Sequence, residues 1–202
     1  MTTPSSAPST PSTTTAPIAA SRCEGFRERR GKYFASHANS PLTAGQRERF
    51  DGLVYYPENP ALAMELSLDT DGPGVGEQIT IAGLDGKPKE YIRAGRVHFD
   101  VEGQPVTLTV FKDIARGRFF LPFRDLTAGE ETYPVGRYLD PQARPDGTLQ
   151  VDFNYAYNPY CAYSDGWACP VPPFENMVRV RIAAGEKIYP DQEHGIDENV
   201  SH

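Results

Sequence analysis

The sequence predicts a mainly β protein, an antiparallel barrel or strongly bent sheet with one or two helices at its amino end. Three observations carry that expectation. Short runs between Met64 and Phe123 alternate apolar and polar residues with the period of two that a half-buried strand requires. Nineteen prolines and eighteen glycines in 202 residues imply many turns and extended segments. Helical spacing occurs only near the start, where Phe26, Arg30 and Tyr33 or Phe34 fall on one face.

Taken in order, residues 2–20 are almost entirely Thr, Ser, Pro and Ala and cannot bury enough apolar surface to offset the entropy of ordering, so residues 1–20 are expected to form a disordered tail. A single β-rich domain is expected over 21–189. A helix is predicted from Arg22 to His37, ending near Asn39 to Pro41. Thr43 with Gln46 three residues later is a capping box opening a short second helix. The chain then enters a strand or extended run near Leu53 to Tyr56. Strands follow where Met64, Leu66 and Leu68 alternate with Glu65, Ser67 and Asp69, and again over Gln78–Ile81, Tyr91–Val101, Val106–Phe111 and Arg118–Phe123. Asp85-Gly86, Glu102-Gly103 and Asp146-Gly147 supply tight turns between them. Thr148–Phe153 and Met177–Ala183 complete the set of strands, and residues 190–202 form a loose acidic tail.

Composition excludes several classes of function. A net charge of −7 argues against a nucleic-acid partner, whose phosphates demand clustered Lys and Arg, and against an anionic membrane surface. No window holds the ~20 consecutive apolar residues of a membrane span, and the first residues lack the basic start and apolar stretch of a secretory signal. Three sparse cysteines do not make a secreted disulfide scaffold, so a cytoplasmic location with reduced thiols is expected.

Functional interest concentrates between Asp152 and Asn176. These 25 residues contain four tyrosines, the only tryptophan, two of the three cysteines and four prolines. Structureless loops of such length are uncommon in compact domains and are usually functional or disordered, and so many large aromatics favour burial. Placed between two strands, the loop lies across an end of the sheet. SPLTAGQRERFDGL, PFRDLTAGEETYPVGRYLD, DFNYAYNPYCAYSDGWACPVPPFEN and IAAGEK together resemble the bacterial and archaeal domain-of-unknown-function family 1684, from about Phe26 to Lys187. That resemblance implies no established activity, and it assigns neither a cofactor nor its absence.

The residues themselves suggest a pocket for a small polar molecule between the sheet and this loop. Arg137 would contact an anionic group with its planar donors, or form a structural salt bridge with the carboxylates of the preceding stretch that holds Asp125 and Glu131. Asp152 and Glu175 are the candidate acid and base, because proton transfer needs only a placed carboxylate with a shifted pKa. Asn154, Asn158 and Asn176 would orient the ligand, and Tyr133, Tyr155, Tyr157, Tyr160, Tyr163 and Trp167 would line the walls. Each of these polar groups could instead fasten the loop by satisfying its backbone. Cys161 and Cys169, eight positions apart, read as buried thiols, as a disulfide worth roughly 2.5 kcal/mol in the chain-entropy model, or as part of a metal site, although zinc-knuckle spacing is absent and no metal is expected. His37, His98, His194 and His202 share no motif. No Gly-x-Ser-x-Gly, His-Glu-x-x-His, phosphate-loop or dinucleotide fingerprint is present. The competing expectations are an exposed aromatic recognition surface for another protein and a purely structural brace.

Overall fold

The computed structural model describes residues 21–83 and 88–192. The expected tails, the Asp85-Gly86 turn, His194 and His202 lie wholly or largely outside these residues. Among the described residues, two helices precede eight strands: α1 (Ser21–Ser36), α2 (Ala44–Arg49), β1 (Ala63–Ser67), β2 (Gln78–Ala82), β3 (Pro88–Val101), β4 (Gln104–Asp113), β5 (Phe119–Phe123), β6 (Arg137–Leu139), β7 (Gln142–Ala143) and β8 (Thr148–Asp152). No helix there is long and apolar enough to cross a membrane.

The strands form a five-stranded antiparallel meander in the order β2-β3-β4-β5-β6 and a three-stranded sheet in the order β1-β8-β7. The long β3–β4 hairpin is its backbone, turning at Glu102-Gly103. The two sheets meet where Asp69 bridges Arg96, with paired backbone bonds of 2.8 and 2.9 Å. The same point carries a bulge between Arg93 and Gly95. Gly95 sits at φ +155°, and a Cβ there would lie 2.5 Å from the Asp69 carbonyl oxygen, so only glycine lets β3 turn this corner. The result is the strongly curled, half-barrel sheet with amino-terminal helices that the patterning predicts.

Inside the curl, Val97, Leu108 and Val110 from the meander face Leu149 and Val151 from β8, all fully or almost fully buried. Phe153 fills the junction, with its ring 5.2 Å from Phe123 and 5.5 Å from Phe99. Truncating such a side chain to alanine costs about 3–5 kcal/mol.

The capping box forms as read: Thr43 Oγ1 accepts from the Gln46 amide at 3.2 Å while Gln46 Oε1 accepts from the Thr43 amide at 2.8 Å. Gln46 does more than cap, because its buried Nε2 also donates to the carbonyls of Tyr163 and Asp191. Leu53 to Tyr56 is an extended run with one bridge, Tyr55 to Glu186, rather than a ladder.

One strand expectation needs correction. Residues 177–183 alternate as predicted, with Val180 and Ile182 buried, yet they form no strand. Their backbone exchanges single bonds with the irregular stretch at Arg124 to Leu126, makes local turn bonds from Met177 to Phe174 and from Ala184 to Ile182, and at Ile182 is taken up by side chains. The Ile182 amide donates to Asp125 at 2.7 Å and the Ile182 carbonyl accepts from Arg137 at 2.8 Å. With the amide and carbonyl of Ile182 both bonded to buried charged groups, a ladder cannot run through this residue.

Candidate functional site

The 152–176 crossover is built from short 3-10 turns at Phe153–Tyr155, Tyr160–Ala162 and Phe174–Asn176 joined by proline-stiffened extended pieces. Its polar residues fall into two groups.

The first group ties the molecule together. Arg137, 0 % exposed, lies over the Phe123 ring and donates to Asp125 at 3.3 Å, to the Ile182 carbonyl at 2.8 Å, to the Glu186 carbonyl at 3.3 Å and to the Ala184 carbonyl. Burial pulls its pKa down and the Asp125 carboxylate opposes that pull. The guanidinium is thus spent on acceptors of the protein itself. Asp125 also accepts from the Thr127 hydroxyl at 2.9 Å, as a turn-capping aspartate would. Asn176 acts as a substitute strand: its Oδ1 accepts from the Thr109 amide at 2.8 Å, and its Nδ2 donates to the carbonyls of Thr109 at 2.8 Å and Pro122 at 2.7 Å. It thereby pins the crossover where β4 and β5 part. Asn158 donates its Nδ2 to the Lys187 carbonyl, and Asn154 exchanges bonds with the backbone of Asn59. Tyr133 donates to the Cys161 carbonyl at 3.3 Å.

Glu186, in the IAAGEK stretch but not singled out from sequence, is the hub of this group. Only 1 % exposed, it accepts from Arg30 at 3.2 Å, from the Asn158 amide at 3.2 Å and from the Tyr163 hydroxyl. Arg30 comes from α1 and stacks on Phe34 and Tyr157, each 4.9 Å from the ring centre. Burial acts to lower the Arg30 pKa, but the Glu186 carboxylate together with Tyr163 and Tyr55 outweighs it and the net shift is upward. A tertiary ion pair therefore holds the helix on the crossover.

The second group lines a cleft of about 320 Å³ between α1, the three-stranded sheet and residues 155–157. Phe26, Tyr155 and Tyr157 give it an aromatic wall, while Asp140, Gln142, Gln150 and Asp152 give it polar ones. Phe26 meets Tyr155 edge-on at 5.1 Å. Gln150 and Asp152 project from the same face of β8, opposite Leu149 and Val151, and Gln142 is the register partner of Gln150. Asp152 Oδ1 accepts from the Asn154 amide at 3.0 Å and its Nδ2 at 2.8 Å. Burial nevertheless raises the Asp152 pKa, with the bonds from Asn154 pulling the other way. Asp140 is open to solvent at the rim but walled by protein behind. Desolvation raises its pKa too, opposed by the Tyr157 hydroxyl, which donates to its Oδ2 at 3.0 Å.

Of the expected site residues, the cleft gathers Asp152, Tyr155 and Tyr157. Glu175 stands elsewhere: it is exposed and binds Arg93 on β3 at 3.0 and 3.1 Å. Asp152 and Glu175 therefore do not share the cleft. Trp167 is half-buried, donates to the Ser164 hydroxyl at 3.3 Å and packs edge-on against Tyr160. Asp140, Gln142, Gln150 and Phe26 were not proposed as site residues. For Gln150 the signal was available, since it alternates with Asp152 on one strand. Among the described residues, no group of three or more His, Cys, Asp or Glu side chains is arranged to hold a metal ion.

A curled antiparallel half-barrel, closed on one side by an amino-terminal helix and crossed by an aromatic loop, defines the class. Residues 48–187 match the model of a family described as "Protein of unknown function (DUF1684)", and the chain belongs to that family. It is also similar to the solution NMR structure of an uncharacterized protein of Haloarcula marismortui, with 31% sequence identity and a TM-score of 0.62, covering 83% of this chain and 92% of that one. No curated protein matches.

Proposed function

We propose that the cleft binds a small polar molecule rich in hydroxyl or amino donors, with Asp140 and Asp152 accepting its hydrogen bonds and exchanging protons with it. The observation that carries this reading is the presence of two desolvated carboxyls on one aromatic-walled cleft of about 320 Å³. That volume is at the lower end for small-molecule sites. Among the described residues no lysine or arginine lines the cleft, and Arg137, expected to greet an anion, gives its terminal nitrogens to Asp125 and backbone carbonyls. This favours a neutral or cationic ligand. A raised carboxyl pKa brings protonation closer to working pH, where general acid or base chemistry is most effective.

The test is a titration of isotopically labelled protein, followed by NMR, with monosaccharides, short polyols, primary amines and small carboxylates. Amide shifts clustering on Phe26, Asp140, Gln150, Asp152 and Tyr157 with the donor-rich compounds are expected. Shifts produced only by the carboxylates, or mapping away from the cleft, would contradict the reading. A second reading, a docking surface for another protein, draws on Phe174, 87 % exposed beyond a rigid Pro172-Pro173 approach. Sedimentation of the wild type against Phe174→Ser, over a range of concentrations, shows whether this side chain joins copies of the chain.

A further inference from the structure

Cys161 and Cys169 lie outside the cleft and are not used by the reading above. Both are free and buried in one cluster with Phe34, Tyr133 and Tyr163. The Cys161 amide donates to the Cys169 sulfur at 3.2 Å, and the two side chains are within hydrogen-bonding reach of each other. Their backbones are held from outside. Tyr133 bonds the Cys161 carbonyl, Tyr138 donates to the Pro170 carbonyl at 2.5 Å, and Val171 donates to Ala82 at the end of β2 at 3.0 Å. Between the two cysteines, residues 162–168 form a loop whose tip, Asp165-Gly166, is exposed. Two sulfurs are thus presented side by side by a fixed frame.

We propose that Cys161 and Cys169 are a dithiol oxidation site, in which Cys169 reacts with a peroxide and Cys161 resolves the product into an intramolecular disulfide. The division of roles follows from the surroundings. The bond from the Cys161 thiol, aided by the Cys161 amide and the charge of Lys89, brings Cys169 down to about 7, whereas the same thiol–thiol contact and burial push Cys161 far up. Cys169 therefore carries the thiolate. Its sulfur attacks one peroxide oxygen, the O–O bond breaks, and the departing hydroxide takes up a solvent proton, equivalent to the one Cys169 released on ionising, and leaves as water. The Cys161 sulfur then attacks the Cys169 sulfenic sulfur, the S–O bond breaks, and hydroxide leaves with the Cys161 proton as a second water. One peroxide is reduced and two thiols are oxidised. A hydroperoxide is small enough to reach sulfurs in residues only 6–7 % exposed. Cys23 is a built-in control, since burial pushes its thiol up to about 11 and its hydrogen-bond partners are the Asn154 carbonyl and Glu58, with no second thiol.

The experiment treats the full chain with hydrogen peroxide near neutral pH and counts thiols by alkylation and mass spectrometry. Loss of two of the three thiols is expected, with a peptide linkage between Cys161 and Cys169, Cys23 still alkylated, and a change in the fluorescence of Trp167 inside the closed loop. Cys161→Ser should leave a sulfenic acid on Cys169 that dimedone traps, and Cys169→Ser should abolish oxidation at Cys161. Three intact thiols after treatment, oxidation of Cys23 in preference to Cys169, or no dimedone adduct in a folded Cys161→Ser protein would overturn the proposal. Should that variant not fold, the linkage map of the wild type decides alone.

Discussion

The crossover's anchors and the cleft beneath α1 are made of the same kinds of residue, yet they differ in how their polar atoms are employed. At the anchors, Arg137, Asp125, Asn176 and Glu186 are almost wholly buried; Arg137 and Asn176 make several bonds to distant backbone, while Asp125 and Glu186 each bond one distant amide and at least one distant side chain. At the cleft, Asp140 and Gln150 retain contact with solvent, and the bonds to Asp152 all fall on one carboxyl oxygen, Oδ1. A dense patch of acids, amides and tyrosines in a sequence is therefore not one signal but two. Those side chains that replace missing strand pairing are structural, and those that face a concavity are available for chemistry.

This contrast fixes a ranking of mutational effects. Arg137→Met comes first, because it leaves the Asp125 carboxylate buried without its cation and strips donors from the carbonyls of Ile182, Ala184 and Glu186. Breaking a buried pair from one side costs about 3–5 kcal/mol, read from the midpoint of denaturant unfolding. A loss below ~1 kcal/mol would mean that the anchors are not anchors. Asn176→Ala follows at about 2–3 kcal/mol, since the Thr109 amide and two carbonyls lose their partner inside the protein. Hydrogen exchange at Thr109 should quicken with it. Glu175→Gln is the smallest, about 0–1 kcal/mol, because its pairing with Arg93 is at the surface and screened. High salt should narrow even that difference.

Much of the fold was legible because it rests on local pattern. The alternation at Met64–Leu68 and along β3 and β4 placed strands correctly, and Thr43 with Gln46 located a helix start within one turn. Residues 177–183 misled for a physical reason: alternating burial is preserved, but Asp125 and Arg137, some 45–57 positions away in the chain, claim the backbone groups a ladder needs. The site was harder to read. Asp152 and Tyr157 were found because they sit in the aromatic loop, whereas Asp140 becomes interesting only through the Tyr157 hydroxyl and the walls that fold around it. Glu186 is similar, a single acid in a short motif whose partner, Arg30, lies 156 residues earlier. Pairings of that range leave no periodic trace.

The contrast between anchors and cleft is tested most directly by the double variant Asp140→Asn, Asp152→Asn, measured for thermal stability across pH and for ligand shifts by NMR. Both carboxyls have raised pKa values in the folded protein, so the native state holds their protons longer than the unfolded chain does. Their contribution to stability is greatest below the ordinary carboxyl value and is lost as pH rises through the folded pKa of each. Asparagine keeps an acceptor oxygen for Asn154 and Tyr157 without a titratable charge. The variant should therefore lose that decline, be at least as stable as the wild type at neutral pH, and no longer respond to the donor-rich ligands. A melting temperature that falls as far as that of Arg137→Met, with ligand response intact, would contradict the account.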